Sequence, residues 1–268
     1  MATVRSGEAN VWWESAGEGT PVLLINGLGS PSSVWFRLVP LLSPHHRVLT
    51  FDNLGTGRTG VPPGPYTIAM LADAAAAVIR ASGEPAVHVL GISLGGLIAQ
   101  QLALEYPQLV VSLTLVSTHA GMGHATGDPE ASAAIASAGS LAGDARYEFL
   151  AQFAHAPTTP AARIAEDSAV RAQLPTSEEG YQNQLLAARG FDRIDELQRL
   201  TLPTFVLHGA VDRMISVESG RKLADHIPGA RLTVLPDCGH QLFTDQPAAG
   251  AEAVLDFLAL VNAQTQPA

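Results

Sequence analysis

The chain has 268 residues, 47% of them hydrophobic, and a net charge of −10, with one cysteine, Cys238, and one lysine, Lys222. That length and apolar content suffice to bury a large core, while the acidic balance leaves no basic stripe to neutralise phosphates and argues against a nucleic-acid partner. A lone cysteine rules out an internal disulfide framework, no apolar run of about 18 residues is present to span a membrane, and Met1 to Glu8 carry no apolar signal region, so a cytoplasmic location is expected.

Short apolar strands near Val11, Val22, Val48, Val87, Leu113, Thr204 and Leu232 alternate with helical stretches. This βαβ pattern predicts a mostly parallel sheet with right-handed crossovers. The strand Val22 to Ile25 runs into Asn26-Gly27-Leu28-Gly29, and the strand near Val48 runs into Asp52-Asn53-Leu54-Gly55-Thr56-Gly57-Arg58-Thr59. The second segment reads as a turn, not a dinucleotide fingerprint. Trp12, Trp13 and Trp35 read as packing residues.

Residues 86 to 106 hold the most informative pattern: an apolar strand, then Gly91-Ile92-Ser93-Leu94-Gly95, then Leu97, Gln101 and Leu104 at helical spacing. A strand, a G-x-S-x-G turn and a helix in succession predict a nucleophile elbow with Ser93 at its apex. The alternative is a tight βα turn whose serine only caps the helix. In the elbow, the small residues Gly91 and Gly95 let strand and helix approach, and the backbone N–H of Leu94 lies at a helix N-terminus beside the hydroxyl.

Between the strand Leu113 to Ser117 and the strand Thr204 to His208, roughly His119 to Leu200, the chain shows no strand. Gly121, Gly123, Gly127 and Pro129 open this segment, and Pro157 and Pro160 break it midway. Tyr147, Phe149, Leu150 and Phe153 cluster at helical spacing, as do Tyr181, Leu185 and Leu186, which predicts a helical cap over the catalytic edge rather than a disordered insertion. The expected organisation is a core of residues 1–118 and 201–268 interrupted by a cap of 119–200.

Beyond the cap, the strand Thr204 to His208 leads to Asp212, a helix is expected over Val217 to His226, and the strand Arg231 to Leu235 leads to His240. Ser93, Asp212 and His240 then follow one another in the order of a nucleophile, an orienting acid and a base, all at the carboxyl edge of one sheet. The competing carboxylates are Asp52, Asp237 and Asp245, and Asp212 is preferred for its strand-end place and chain order. His208 reads as structural, and His119 as a residue that could line the pocket. Cys238 reads as a small buried filler. The nine histidines show no paired metal-ligand spacing, so neither a metal nor a cofactor is expected.

Taken together, Asn26 to Gly29, Asp52 to Thr59, the Ser93 elbow, His208-Gly209 through Asp212, Gly239-His240 and the segment Phe243 to Leu258 resemble the α/β-hydrolase superfamily over nearly the whole chain. The nearest likeness is to small bacterial esterases, enol-lactonases and the cofactor-free haloperoxidase-like group. The resemblance implies an α/β-hydrolase fold, a mostly parallel sheet flanked by helices with an inserted helical cap. It also supplies the N–H of Leu28 as a second oxyanion donor beside that of Leu94. Two departures stand out: Asn26 replaces the histidine that usually opens the first loop, and Leu54 replaces an arginine in the second. Both bear on substrate preference more than on the triad.

The expected function is therefore hydrolysis of a small carboxylic ester or lactone through an acyl-enzyme, with His240 as base and Asp212 as orienting acid. The alternatives are a biosynthetic enzyme that uses the same site for acyl transfer, elimination or carbon–carbon cleavage, and a ligand receptor without turnover. Substrate identity and oligomeric state are left open by the sequence.

Overall fold

In the computed structural model, which describes residues 1–141 and 143–265, eight strands form one sheet. The strands are β1 (Ala2–Ser6), β2 (Ala9–Ala16), β3 (Thr20–Ile25), β4 (His46–Phe51), β5 (Val87–Ile92), β6 (Val110–Val116), β7 (Thr204–Gly209) and β8 (Arg231–Leu235). Their order across the sheet is β1-β2-β4-β3-β5-β6-β7-β8. Strand β2 is antiparallel to both β1 and β4, and every later pairing is parallel. The chain therefore builds a doubly covered sheet whose central strands are apolar throughout, as parallel strands between two helical layers must be. All six residues of β5 are buried.

The helices are α1 (Val39–Leu42), α2 (Ile68–Ala81), α3 (Leu94–Glu105), α4 (Pro129–Ser137), α5 (Gly143–Ala154), α6 (Ala161–Ala172), α7 (Glu178–Arg189), α8 (Val217–His226), α9 (Leu242–Asp245) and α10 (Pro247–Thr265). Local chemistry fixes their ends. The side chain of Thr67 accepts from Met70 N at the start of α2, Asp128 accepts from Glu130 N at α4, and Ser177 accepts from Gly180 N at α7. Helices α2 and α3 cover one face of the sheet in a core that includes Leu23, Leu71, Val78, Leu97 and Leu102. On the opposite face Leu24, Leu42, Leu90, Val254 and Leu258 form the second core, with α1 and α10.

The helices α4 to α7 all lie between β6 and β7, where the sequence predicts no strand; among the described residues the one β contact in this stretch is an isolated bridge between Gly121 and Asp192. Polar ties fasten them to the core. Arg37 pairs with Glu166 at 2.7 Å and Asp167 at 3.0 Å, and Arg163 donates to the carbonyls of Thr244 and Asp245 at 3.0 and 2.8 Å. Two of the apolar residues expected inside this segment are on its outside, Phe149 at 38% and Leu186 at 48% exposure, while their neighbours Tyr147, Phe153, Tyr181 and Leu185 are buried. Helical spacing identifies the face, but adjacent apolar residues straddle its edge. The edge strand β1, only five residues long and mostly exposed, has no apolar signal and is not among the expected strands. Residues 266–268 of the expected second core segment lie outside the described residues. Among those described, no helix is long and apolar enough to cross a membrane.

Asp52 shows how the loop after β4 is held. Its fully buried carboxylate accepts from Ser32 N at 2.6 Å, Arg58 N at 2.9 Å and Arg58 Nε at 2.8 Å, and the Arg58 guanidinium lies over the Trp12 ring. Breaking a buried charge pair from one side leaves the other charge uncompensated. Asp52→Asn should therefore lose about 2–4 kcal/mol of stability, read as a lower midpoint in urea, while each folded molecule keeps its turnover.

Candidate active site

Strand β5 ends at Ile92 and α3 begins at Leu94, so Ser93 alone must turn the chain. It does so at φ 56° and ψ −120°, a backbone conformation that costs on the order of 1–3 kcal/mol. Surrounding bonds hold it there: Ser93 N donates to Val116 O at 2.9 Å, and its carbonyl accepts from Thr118 Oγ1 at 2.7 Å and Gly96 N at 2.9 Å. A Cβ on Gly91 would strike the carbonyl of Gly95, and one on Gly95 would strike that of Ile25. The predicted turn is thus present, with Leu94 N at the first turn of α3, where N–H groups lack an intrahelical acceptor.

Across the sheet edge, His240 Nδ1 lies 2.8 Å from Asp212 Oδ2, and both side chains are buried. The other carboxylate oxygen, Oδ1, accepts from Met214 N and Ile215 N, each at 2.9 Å. A second histidine also approaches: His208 Nε2 stands 3.5 Å from Asp212 Oδ2 and 2.8 Å from Ile215 O. Bonding to a carbonyl requires that Nε2 carry the proton, which turns a positive edge toward the carboxylate. Burial alone would raise the Asp212 pKa, but His240 and His208 outweigh it and bring it down to about 2. The sequence assigns His208 a purely structural place; the structure puts it against the Asp212 carboxylate.

The rival carboxylates are engaged elsewhere. Asp52 belongs to the Arg58 tie, and Asp237 is exposed. Asp245 is buried, but its oxygens accept from His155 Nδ1 at 2.8 Å, Ala156 N at 2.9 Å, Thr159 Oγ1 at 2.9 Å and Gly239 N at 2.7 Å. Asp245 thereby pins the residue before His240 to the start of the connection between α5 and α6. His155 continues the chain through Nε2 to the Tyr147 hydroxyl at 2.9 Å. Cys238 is fully buried and burial pushes its thiol up to about 12, which suits an inert filler.

Ser93 and His240 line one cleft of about 1000 Å³, solvent mouth included, together with Gly27 and Leu28. Helices α4 to α7 close its other side through Ile135, Tyr147, Leu150 and Tyr181. They also hold the loop that carries Leu28. Gly29 N donates to Gln184 Oε1 at 2.9 Å, and Gly29 O accepts from Thr176 Oγ1 at 2.9 Å. Gln184 Nε2 reaches Leu54 O at 2.8 Å, so one buried amide joins the Leu28 loop to the loop after β4. Gly29 adopts φ +64° with the Tyr181 ring against it, where a side chain would be both strained and obstructed. Asn26, which departs from the expected histidine, is fully buried with neither side-chain atom hydrogen-bonded, while its carbonyl accepts from Asn53 Nδ2 at 3.3 Å.

The model of the α/β-hydrolase fold family matches residues 20–247. The chain belongs to the α/β-hydrolase family. Relatives cover nearly all of this hydrolase. A protein of Azorhizobium caulinodans provisionally named carbamate hydrolase RutD is 30% identical across 96% of this chain and 98% of its own. A poly(3-hydroxyalkanoate) depolymerase of Ectopseudomonas oleovorans is 32% identical across 89% and 84%. Among solved structures, the enol-lactonase from Burkholderia xenovorans LB400 superimposes with a TM-score of 0.85 at 26% identity, covering 96% of this chain and 99% of its own.

Three supporting residues of this α/β-hydrolase carry no sequence motif: Gln184 and Thr176, which hold Gly29, and His155, which holds Asp245. Only the tertiary fold brings them to these partners, since they come from helices and loops of the segment between β6 and β7. His119 is not on the cleft wall. It is buried, its Nδ1 accepts from Gly121 N at 3.1 Å, and burial, with a smaller contribution from His240, brings its pKa down to about 4.

That depression has a defined sign. Because the folded protein keeps His119 neutral below 6.5, the unfolded chain binds its proton first, and stability falls as pH drops from 6.5 toward 4. The buried histidines His46 and His88 are lowered in the same direction by burial. His119→Asn, which keeps an acceptor for Gly121 N, should remove about 2 kcal/mol of the stability lost between pH 7 and pH 5. Urea midpoints at both pH values would test this, and an unchanged pH slope would refute it.

Proposed function

We propose that this α/β-hydrolase cleaves a small carboxylic ester or lactone through an acyl-enzyme formed on Ser93. The observation that carries the reading is the buried 2.8 Å bond from His240 Nδ1 to Asp212 in a cleft whose wall also presents Ser93 from a strained turn. With Nδ1 bonded to an ionised carboxylate, the imidazole keeps its proton on Nδ1 and offers Nε2 as a base. Ser93 Oγ attacks the carbonyl carbon as Nε2 takes its proton. The tetrahedral oxyanion forms beside the N–H groups of Leu94 and Leu28, the imidazolium protonates the leaving alkoxide, and water repeats the sequence to release the acid. Asp212 stays ionised throughout, since its pKa near 2 lies far below working pH. Residues 119–200 act as a cap that shapes the acyl pocket and braces the Leu28 loop through Gln184 and Thr176. The lactonase and depolymerase names of the relatives, both acting on ester bonds, support the choice of bond.

A fluorophosphonate probe tests the reading, because an activated serine attacks phosphorus as it attacks an acyl carbon. Wild type should label at Ser93 and Ser93→Ala not at all. Asp212→Asn should fold and label on the order of 10³–10⁴ times more slowly, since the amide favours the wrong imidazole tautomer. Labelling of Ser93→Ala at the wild-type rate would remove Ser93 from the mechanism.

A further inference from the structure

Two guanidinium groups line the cleft, and their surroundings differ. Arg37 is neutralised: it bridges Glu166 and Asp167, and donates to the carbonyl of Arg163 at 3.1 Å. Asp167, the carboxylate on the cleft wall, is likewise engaged, with Oδ1 on Arg37 and Oδ2 accepting from Thr244 Oγ1. Arg171, one helical turn beyond Asp167 on α6, has no carboxylate within ion-pair distance among the described residues. Its Nη1 donates to Ser30 Oγ at 2.6 Å, its guanidinium lies 4.3 Å from the centre of the Tyr147 ring, and its Nε is buried with no hydrogen-bond partner. A cation that stacks on an aromatic face and keeps a buried donor unused is held in place without being neutralised.

Its position relative to Ser93 follows from the loop. Ser30 N donates to Gly27 O at 3.2 Å, closing a tight turn whose ends lie within about 7 Å. Gly27 sits against the nucleophile, where an added Cβ would stand 3.3 Å from Ser93 Cβ. The turn therefore ties the Arg171 side chain to the loop beside Ser93, and both residues line the same cleft.

We propose that Arg171 receives a carboxylate at the far end of the acyl group, so that the substrates are short-chain half-esters of dicarboxylic acids. This rests on the serine-hydrolase reading for the bond cleaved, but the anion site stands on Arg171 alone. The planar fork of the guanidinium offers paired N–H donors to a carboxylate, and the low-dielectric wall strengthens the bond relative to water. Hydrolysis of such a substrate, for example monomethyl glutarate plus water giving glutarate and methanol, leaves a dianionic product whose distal carboxylate keeps the same partner.

The test compares monomethyl glutarate with dimethyl glutarate, which share an acyl chain and differ in charge. Wild type should favour the monoester in kcat/KM, and Arg171→Gln should lower the monoester-to-diester ratio by about 10- to 100-fold, the worth of a charge-assisted hydrogen bond. Arg171→Lys, which keeps the cation, should recover part of the ratio. A preference of wild type for the diester, or an unchanged ratio in Arg171→Gln, would overturn the proposal. Glutarate binding gives a second readout that needs no turnover: it should raise the Tm of Ser93→Ala and fail to do so in Ser93→Ala with Arg171→Gln. Equal protection of both proteins would also overturn the anion site. If neither ester is cleaved while glutarate protects only the proteins that keep Arg171, the anion site stands and the serine-hydrolase reading falls.

Discussion

The cleft is organised around one buried negative charge. A carboxylate removed from water is costly unless its lone pairs are filled and its charge is offset, and Asp212 meets both conditions. Met214 N and Ile215 N occupy one oxygen, His240 holds the other, and the Nε2 edge of His208 lies 3.5 Å away. Each bond fixes a neighbour in return. The turn after β7 closes around the carboxylate, and His240 is oriented by it. His208 is oriented by the carbonyl of Ile215, which lies in the same turn. The electrostatics and the backbone geometry of this corner are thus one arrangement.

On the opposite wall the constraint is mechanical. Gly29 has both its peptide N–H and its carbonyl bonded to side chains from the segment between β6 and β7, Gln184 and Thr176. In the proposed mechanism this couples the Leu28 donor to the cap, so that whatever displaces α7 also displaces a group required in the transition state. The Asp245 cluster ties the same segment to His240 from the other side, through Gly239 N and His155. Substrate selection and the geometry of catalysis then share supports, consistent with how tightly preorganised donors must be placed to act.

Much of this was legible in the residues because it is local. The strand, turn and helix around Ser93 follow from Gly91, Gly95 and the change of apolar period, and the places of Asp212 and His240 follow from strands that end just before them. The two strands and one helix from Thr204 to Leu235 lie where apolar spacing puts them. What could not be read is non-local. Gln184 is a polar residue in a mid-helix position, and nothing in its neighbourhood signals that it will meet Gly29, 155 residues away in the chain. Phe149 and Leu186 look like core residues by type but lie just off the buried face. The contact of His208 with Asp212 depends on how tightly the turn after β7 closes, which no local pattern encodes. Asp245 is a rival acid by position along the chain, and only the fold gives it the four donors that make it an anchor.

In the proposed mechanism Ser93, His240 and Asp212 act as one unit, and a double-mutant comparison tests this most directly. Residues that serve a single step are strongly non-additive when removed together. Ester turnover per folded molecule should be as low in Ser93→Ala with Asp212→Asn as in Ser93→Ala alone, because an acid that acts only through the serine has nothing left to assist. If the double variant instead lost the product of the two single effects, the two residues would be contributing independently, and the proposed triad would be wrong.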